Sequence, residues 1–390
     1  MNGMTRRDFI KLSSILGVSM TLPSILTGCA DGEGRAYDGK VLIIGAGAAG
    51  MAAGYLLAQR GVDFEILEAS TVYGGRFRVN KTFTDFPIPL GAEWLHVEAA
   101  MLDEIINDDS IEHDIELIGY SPDKDADGYY EDGEYSTEPA GGEDLKFIGS
   151  SWFDFYDEYI VPSIRENIRY NIAIVDIDYS GEQVQLMDSN GNSYSADKVV
   201  VTIPMKILQD GDVAFTPALP EGKQDALAEA NIWSGFKGFF EFSERFFPSA
   251  LAFEDSGTDE GQRLFYDASH GQRSDKHILG VFSVGAQAER YQAMSDEQFK
   301  ANVLGELDEV FDGIASETYI KHMTQNWNDE PYARAAYLED NAPTWISAAM
   351  AESVDDKLYF AGTSYTSFWD WSSVHTAARS AREAVDEITG

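Results

Sequence analysis

Two groups of residues have the types and spacing that chemistry needs. The first is Gly45-x-Gly47-x-x-Gly50, which follows the apolar run 41–44 and opens an Ala/Leu-rich stretch. Glycines at these places permit a tight turn, close approach of backbone to a pyrophosphate and close packing of helix on strand. The helix N-terminus then meets the negative charge. Some twenty residues on, Asp63-Phe64-Glu65-Ile66-Leu67 ends at Glu68, an acceptor placed for a ribose hydroxyl. Thr71-Val72-Tyr73-Gly74-Gly75-Arg76 adds a second glycine pair and a guanidinium able to fork onto a phosphate. The second group centres on Lys237 in Ser234-Gly235-Phe236-Lys237-Gly238-Phe239-Phe240-Glu241-Phe242, a cation in an aromatic strand. An ammonium there is costly to bury without a partner. Its plain structural reading is a lysine that reaches solvent from an edge strand.

The elements that must position these groups follow from pattern. A continuous apolar run before the first glycine reads as a strand buried on both faces, so strand, turn, helix and second strand form a parallel α/β unit. The bland alternative is a glycine-rich turn in some other α/β unit. Residues 170–177 and 198–204 are β-rich, with Ser189-Asn190-Gly191-Asn192 a turn signal between them. Asp123-x-Asp125-x-Asp127-Gly128, with Glu134 six residues later, satisfies a calcium-loop pattern. Its flanks, Gly119, Pro122 and Pro139-Ala140-Gly141-Gly142, disfavour helices, and Tyr130-Glu131-Asp132-Gly133-Glu134-Tyr135 reads as a hairpin with an Asp-Gly turn. The histidines are scattered and form no ligand-spaced cluster, so no metal site is expected. Nor is there a G-x-S-x-G nucleophile elbow.

Five separated segments together resemble the flavin-containing amine oxidase family, which spans monoamine oxidases, polyamine oxidases, L-amino-acid oxidases and flavin histone demethylases. The resemblance covers nearly the whole chain after its leader. It implies FAD held by Gly45, Gly47, Ala48, Gly50, Glu68, Ala69, Gly75 and Arg76. In Pro89-Leu90-Gly91-Ala92-Glu93-Trp94-Leu95-His96 the family lays the Gly91-Ala92 backbone against the flavin, and His96 falls at a substrate-site position. A backbone group near Ile174 would meet the adenine. Lys237 matches the lysine that holds a water against flavin N5, the strongest catalytic candidate. The stretch from Trp327 to Tyr337 resembles the segment whose aromatic rings wall the substrate cage, with Trp327 and Tyr337 as candidates. Ala336 stands where monoamine oxidases carry the cysteine that holds FAD covalently, so attachment here is expected to be noncovalent. Gly362, Thr363, Ser373 and Val374 introduce the last helix, whose N-terminus would face the flavin and favour negative charge on it. The second cage tyrosine matches Ser373, the family's following glycine is Thr376, and Phe368-Trp369-Asp370-Trp371 is an insertion able to form another wall.

Lys and Arg number 28 against 67 Asp and Glu, a formal net charge of -39. Nucleic-acid binding needs clustered cations to replace counterions, so it is excluded as a function class. The same charge favours cationic ligands, although solubility or a salt-adapted proteome explains it equally well. Residues 5–30, TRRDFIKLSSILGVSMTLPSILTGCA, place Arg6, Arg7 and Lys11 ahead of an apolar core that is short of the roughly 20 residues a span needs and contains Pro23. TRRDFIK resembles a twin-arginine export signal. Leu26-Thr27-Gly28-Cys29 resembles a lipobox, which accounts for the lone cysteine of the chain; secretory cleavage without lipid is the rival.

The expectation is an α/β chain with a discontinuous, Rossmann-like FAD-binding domain of the glutathione-reductase type and an α+β substrate domain. A signal peptide occupies 1–28, the FAD domain 36–98, 168–232 and 352–390, and the substrate domain 99–167 and 233–351. The chain is short for the family, so the helical part over the substrate site is expected to be reduced. The expected activity is oxidation of an amine, polyamine or amino acid to an imine and then aldehyde, with O2 or another acceptor taking the electrons and hydrogen peroxide as product. The alternatives are a flavin desaturase or dehydrogenase of an apolar substrate, and a flavin-binding surface lipoprotein without that activity. Expected partners are the amine, the twin-arginine translocase and a periplasmic or cell-surface membrane reached through lipidated Cys29.

Overall fold

The computed structural model describes residues 37–368 and 372–390. The leader with Arg6, Arg7 and Cys29, and the inserted residues Trp369, Asp370 and Trp371, lie outside the described residues.

The apolar run after Lys40 becomes the middle strand of a five-stranded sheet, ordered Leu358–Phe360, Lys198–Val201, Lys40–Ile44, Asp63–Leu67, Ile168–Arg169. All its neighbours pair in parallel, with Ile44 beside Val201 on one side and Leu67 on the other. Val41, Leu42 and Ile43 are fully buried because both faces of this sheet are covered. On one face the helix Ala48–Gln59 packs beside the C-terminal helix Val374–Thr389. Gly54 is needed for that approach: a Cβ there would stand 2.8 Å from Ile66 Cδ1. On the other face lie a four-stranded sheet, built on Ile174–Asp178 and Val184–Asp188, and the helices Glu221–Glu229 and Thr344–Ala351. Gly191, at φ 83°, turns Val184–Asp188 into Ser193–Ala196.

A second, eight-stranded sheet carries the aromatic strand. Its order is Tyr319–Asn326, Gly235–Phe242, His277–Gly285, Gly261–Asp267, Ala250–Phe253, Ala126–Glu131, Glu134–Pro139, with Gly257–Thr258 off this path. The Gly235–Phe242 strand is paired on both sides, so the edge-strand reading of Lys237 does not hold. The acidic stretch forms the Asp-Gly hairpin: Ala126–Glu131 pairs with Glu134–Pro139 through Asp132 and Gly133, both at positive φ. No calcium-binding helix–loop–helix exists there, since strands take the place of both helices.

The expected domain limits need correction at two places. Trp152, Phe155, Tyr156, Ile160 and Ile164 fall within 99–167, the expected substrate domain, yet they share one core with the helix Ala48–Gln59. Met101–Ile106 joins the same core. Ile346 and Met350, within the expected 233–351 substrate segment, are buried with Leu42, Val199 and Phe360 under the parallel sheet. The physical reason is that a two-sided parallel sheet needs cover on both faces. These segments provide it.

Candidate active site

A cavity of about 1140 Å³ runs from the carboxyl ends of the parallel strands to the inner face of the eight-stranded sheet. Gly45, at φ 106°, makes the turn that only glycine adopts without strain. A Cβ on Gly50 would stand 1.9 Å from Gly45 O, so that residue serves close packing and not the cavity itself. Gly47 has nothing within 4 Å of its Cβ position and leaves open space in the cavity. Gly75 folds back over it, its own Cβ position 3.3 Å from Gly47 Cα, and Gly74 N–H donates to Ala46 O at 2.9 Å. Two glycine turns thus form one backbone cradle.

The charged groups around this cradle fit a dinucleotide. Arg76 lies beside it with burial lowering its value; its guanidinium donates to Ala336 O and has no carboxylate partner among the described residues. A buried cation of this kind calls for an anion such as a pyrophosphate. Glu68 accepts from the Ala46 N–H at 2.6 Å and the Ser70 N–H at 2.8 Å, and burial raises its value against those two bonds. Each oxygen keeps lone pairs for a ribose hydroxyl. Ala48, Ala69 and Ile174 line the same end of the cavity. Farther along, Thr363 Oγ1 is buried without a partner beside Gly362, and Ser373 caps the helix Val374–Thr389. Gly91 is held to a glycine by Arg76 O, 1.8 Å from its Cβ position, and Ala92 follows it into the cavity. An unpartnered hydroxyl, an unpaired guanidinium and an open glycine cradle all fit FAD.

The other end of the cavity lies against the eight-stranded sheet. Lys237 is 3% exposed and does not reach solvent. Its Nζ donates to Glu93 Oε2 at 2.8 Å and lies 3.4 Å from Pro89 O. Glu93 is shared. Lys146 Nζ lies 3.1 Å from its other oxygen, and the Tyr266 hydroxyl donates to the first. Lys146 is itself tied to Asp267 O at 3.1 Å and Ala268 O at 3.2 Å. Burial lowers the Lys237 ammonium, opposed by Glu93, while Lys146 adds to the lowering. Burial would raise Glu93, but the two lysines hold it below the ordinary carboxylate range, so it stays ionised. Trp94, Phe239 and Tyr266 place their rings within 5.6 Å of the ammonium.

Trp327 is fixed by its indole N–H on Leu90 O at 2.9 Å, with Arg78 over its ring at 5.3 Å. Tyr337 pairs with Trp233 in a short antiparallel ladder and faces the cavity. Burial, then the nearby Asp340, raise its phenol well above its ordinary value, so it stays neutral. His96 donates to Asp144 Oδ1 at 2.9 Å on the cavity wall. Ser373 bonds Thr376 and His375 next to the cavity, so the second tyrosine position carries a small capping hydroxyl.

All the expected site residues except Gly50 line this one cavity. Four residues that the sequence reading did not single out join them: Glu93, Tyr266, Gln262 and Asp340. Lys146 stands behind Glu93. The only sequence signal for Glu93 was a carboxylate in the apolar Gly91-Ala92-Glu93-Trp94-Leu95 stretch; Lys146 had none.

The flavin containing amine oxidoreductase family model matches residues 155–389, and the NAD(P)-binding Rossmann-like domain model matches 43–105. A lysine-specific histone demethylase 1B of Mus musculus is 27% identical over 202 residues, covering 50% of this chain and 24% of that protein. The chain thus spans about a quarter of the length of the curated demethylases it matches. Polyamine oxidase 3 of Oryza sativa subsp. japonica is 23% identical with 90% of both chains covered. Among solved structures, a putrescine oxidase variant superposes with TM-score 0.74 at 14% identity over 90% of this chain and 98% of its own. Cyclohexylamine oxidase from Brevibacterium oxydans IH-35A gives TM-score 0.73 at 17% identity, again over 90% and 98%. At these identities the structures establish a shared fold.

Proposed function

The chain belongs to the flavin containing amine oxidoreductase family, and from that premise we propose that it oxidises an amine at a CH–NH or CH–NH2 group with noncovalently bound FAD. When bound, FAD would supply the two-electron oxidation at the amine carbon, with oxygen as the acceptor that would yield hydrogen peroxide. The protein holds, orients and excludes water. Gly45, Gly47 and Gly75 would present backbone to the pyrophosphate, Arg76 would neutralise it, and Glu68 would accept from the ribose. The N-terminus of the helix Val374–Thr389 opens onto the cavity and favours negative charge there. Trp327 and Tyr337 wall the amine.

The observation that carries this reading is the buried Lys237–Glu93 pair, 2.8 Å apart, on the wall of the cavity that holds the dinucleotide cradle. After Glu93 and Pro89 O, the ammonium keeps donor capacity toward the cavity for a water or a substrate nitrogen. Ala336, lacking a nucleophile, supports noncovalent attachment. Export by the twin-arginine route and anchoring through Cys29 belong to the same proposal and rest on residues 5–30 alone.

The test is anaerobic bleaching of the purified yellow protein by a panel of amines, amino acids and apolar alcohols or lactams. Bleaching by amines, with peroxide release on admitting oxygen, supports amine oxidation. Bleaching by apolar substrates alone points to a desaturase or dehydrogenase. No bleaching by any compound leaves FAD as a structural ligand.

A further inference from the structure

Two lysines share one buried carboxylate, and they spend their donors differently. Lys237 Nζ donates to Glu93 Oε2 at 2.8 Å and lies 3.4 Å from Pro89 O, which leaves one N–H toward the cavity. Lys146 Nζ meets Glu93 Oε1 at 3.1 Å, Asp267 O at 3.1 Å and Ala268 O at 3.2 Å. An ammonium has three donors, so those of Lys146 are all engaged within the fold. Lys146 is 2% exposed and stands behind Glu93, outside the cavity lining.

The place of Lys146 is fixed from three sides. Lys146–Phe147 pairs with Leu117–Ile118, which sets Ile118 beside Lys146. The preceding Leu145 exchanges both backbone bonds with Leu95 at 2.9 Å, two residues past Glu93. The carbonyls that receive the ammonium belong to Asp267, the last residue of the strand Gly261–Asp267, and to Ala268 after it. The same strand brings the Tyr266 hydroxyl to Glu93 Oε2. Oε2 thus takes Lys237 and Tyr266, while Lys146 occupies Oε1. With Oε1 taken, Lys237 does not spread its donors over both carboxylate oxygens, and its third donor stays toward the cavity.

From this geometry, and resting on the reading of Lys237 as a group that serves amine oxidation, we propose that Lys146 is a positioning residue: by holding Oε1 of Glu93 it confines Lys237 to Oε2 and aims the remaining ammonium donor at the cavity. The charge of Lys146 acts on the same group. Burial lowers the Lys237 ammonium, Glu93 opposes this, and Lys146 adds to the lowering. Of the other titratable groups around the cluster, Tyr266 and Tyr120 are pushed up by burial and stay neutral phenols, Tyr120 accepting from the Trp94 indole at 3.3 Å. Asp267 is raised by burial and pairs with Arg245 at 3.2 Å, with His270 near it and held by Asp125 at 3.5 Å. Asp144 pairs with His96. Lys237 therefore gives up its proton at lower pH with Lys146 in place than without it.

The experiment compares wild type, Lys146→Met, Lys146→Gln and Lys146→Arg as flavinated proteins, with flavin reduction by a saturating amine followed by stopped flow across pH. In Lys146→Met the carboxylate keeps Lys237 and Tyr266, so folding and FAD content should persist. Reduction should slow by about ten- to a hundredfold, the cost of misaligning one group at the reacting end. The alkaline limb set by loss of the Lys237 proton should move to higher pH. Lys146→Gln, the smaller neutral variant, should move the limb the same way, and Lys146→Arg, which keeps the charge, should leave it in place. 13C NMR of protein labelled at lysine Cε reads the coupling without turnover. The Lys237 signal, assigned by its loss in Lys237→Met, should titrate at higher pH in Lys146→Met and Lys146→Gln. An unchanged limb and an unchanged Lys237 titration in these two variants overturn the proposal, whatever their stability, and leave amine oxidation standing. A shifted titration in a protein whose flavin no amine reduces would overturn amine oxidation instead.

Discussion

Glu93 bridges Lys237 and Lys146, with Nζ to carboxylate distances of 2.8 and 3.1 Å and all three side chains no more than 4% exposed. The cluster therefore carries one net positive charge, set against the cavity wall. Removing the bridge leaves two buried ammonium groups facing each other, a change that costs about 3–5 kcal/mol. Glu93→Gln should lower the unfolding midpoint sharply. Adding Lys146→Met restores the single charge and should recover most of the loss. Thermal unfolding of the three proteins decides it; a single variant as stable as the wild type shows that Glu93 does not hold the lysines as ions.

Lys237→Met keeps the length of the stem and removes the donor. FAD content should persist, because Lys237 lies outside the dinucleotide cradle. Flavin reduction by amine, or its reoxidation by oxygen, should slow by about ten- to a thousandfold, the loss of one positioned electrostatic group. Measuring the two half-reactions separately shows which step uses the ammonium. Wild-type rates in both, in a fully flavinated variant, would remove Lys237 from the mechanism.

The cradle predicts its own failure. Gly47 opens into the cavity with nothing within 4 Å of its Cβ position, so Gly47→Val puts a branched side chain into the space left for the pyrophosphate. That variant should purify as colourless, folded apoprotein. In the wild type, acid or heat precipitation should release yellow FAD to the supernatant, given Ala336 at the attachment position. Flavin that stays with the pellet contradicts noncovalent binding.

How legible these features were depends on how local they are. Gly45, Gly47, Gly50 and Glu68 work within one strand–turn–helix–strand unit, so composition and spacing over thirty residues reveal them. The Asp132-Gly133 hairpin is equally local, and its turn residues outweighed the calcium-loop spacing around them. Lys237 was conspicuous as a cation among aromatics, but its partner is 144 residues away in sequence and meets it only after the sheet forms. Lys146 sits in a two-residue strand with no periodicity to mark it. Gln262 and Asp340 come together from chain segments 78 residues apart. The helices that cover the parallel sheet misled the domain limits for a related reason: apolar segments such as 152–164 show that they are buried, and not against which sheet.

Export is tested at residues beyond the described ones. Lysine at positions 6 and 7 in place of arginine should abolish export of the flavinated protein. Cys29→Ala should leave export in place and free the protein from the membrane. The readout is fractionation after a salt wash, and membrane retention of the Cys29→Ala protein sinks the lipid anchor.

Asp340, which faces the cavity and accepts from Gln262 at 3.1 Å, makes a prediction about stability. Its carboxyl value is raised to about 6, first by burial and then by Glu339, against the Gln262 bond and the His96 charge. The fold thus favours the protonated acid. Below its ordinary value near 4 the acid is neutral in both folded and unfolded states, and the raised value contributes its full stabilisation there; that stabilisation is lost as pH rises through about 6. At pH 8 the ionised carboxylate, beside a neutral Tyr337, is a net cost on the order of 1–3 kcal/mol. Asp340→Asn removes the ionisation while keeping an acceptor for Gln262, so it should raise the unfolding midpoint at pH 8, with the gap closing toward pH 4. A variant less stable than wild type at pH 8 would show that Asp340 already has its counter-charge within the fold.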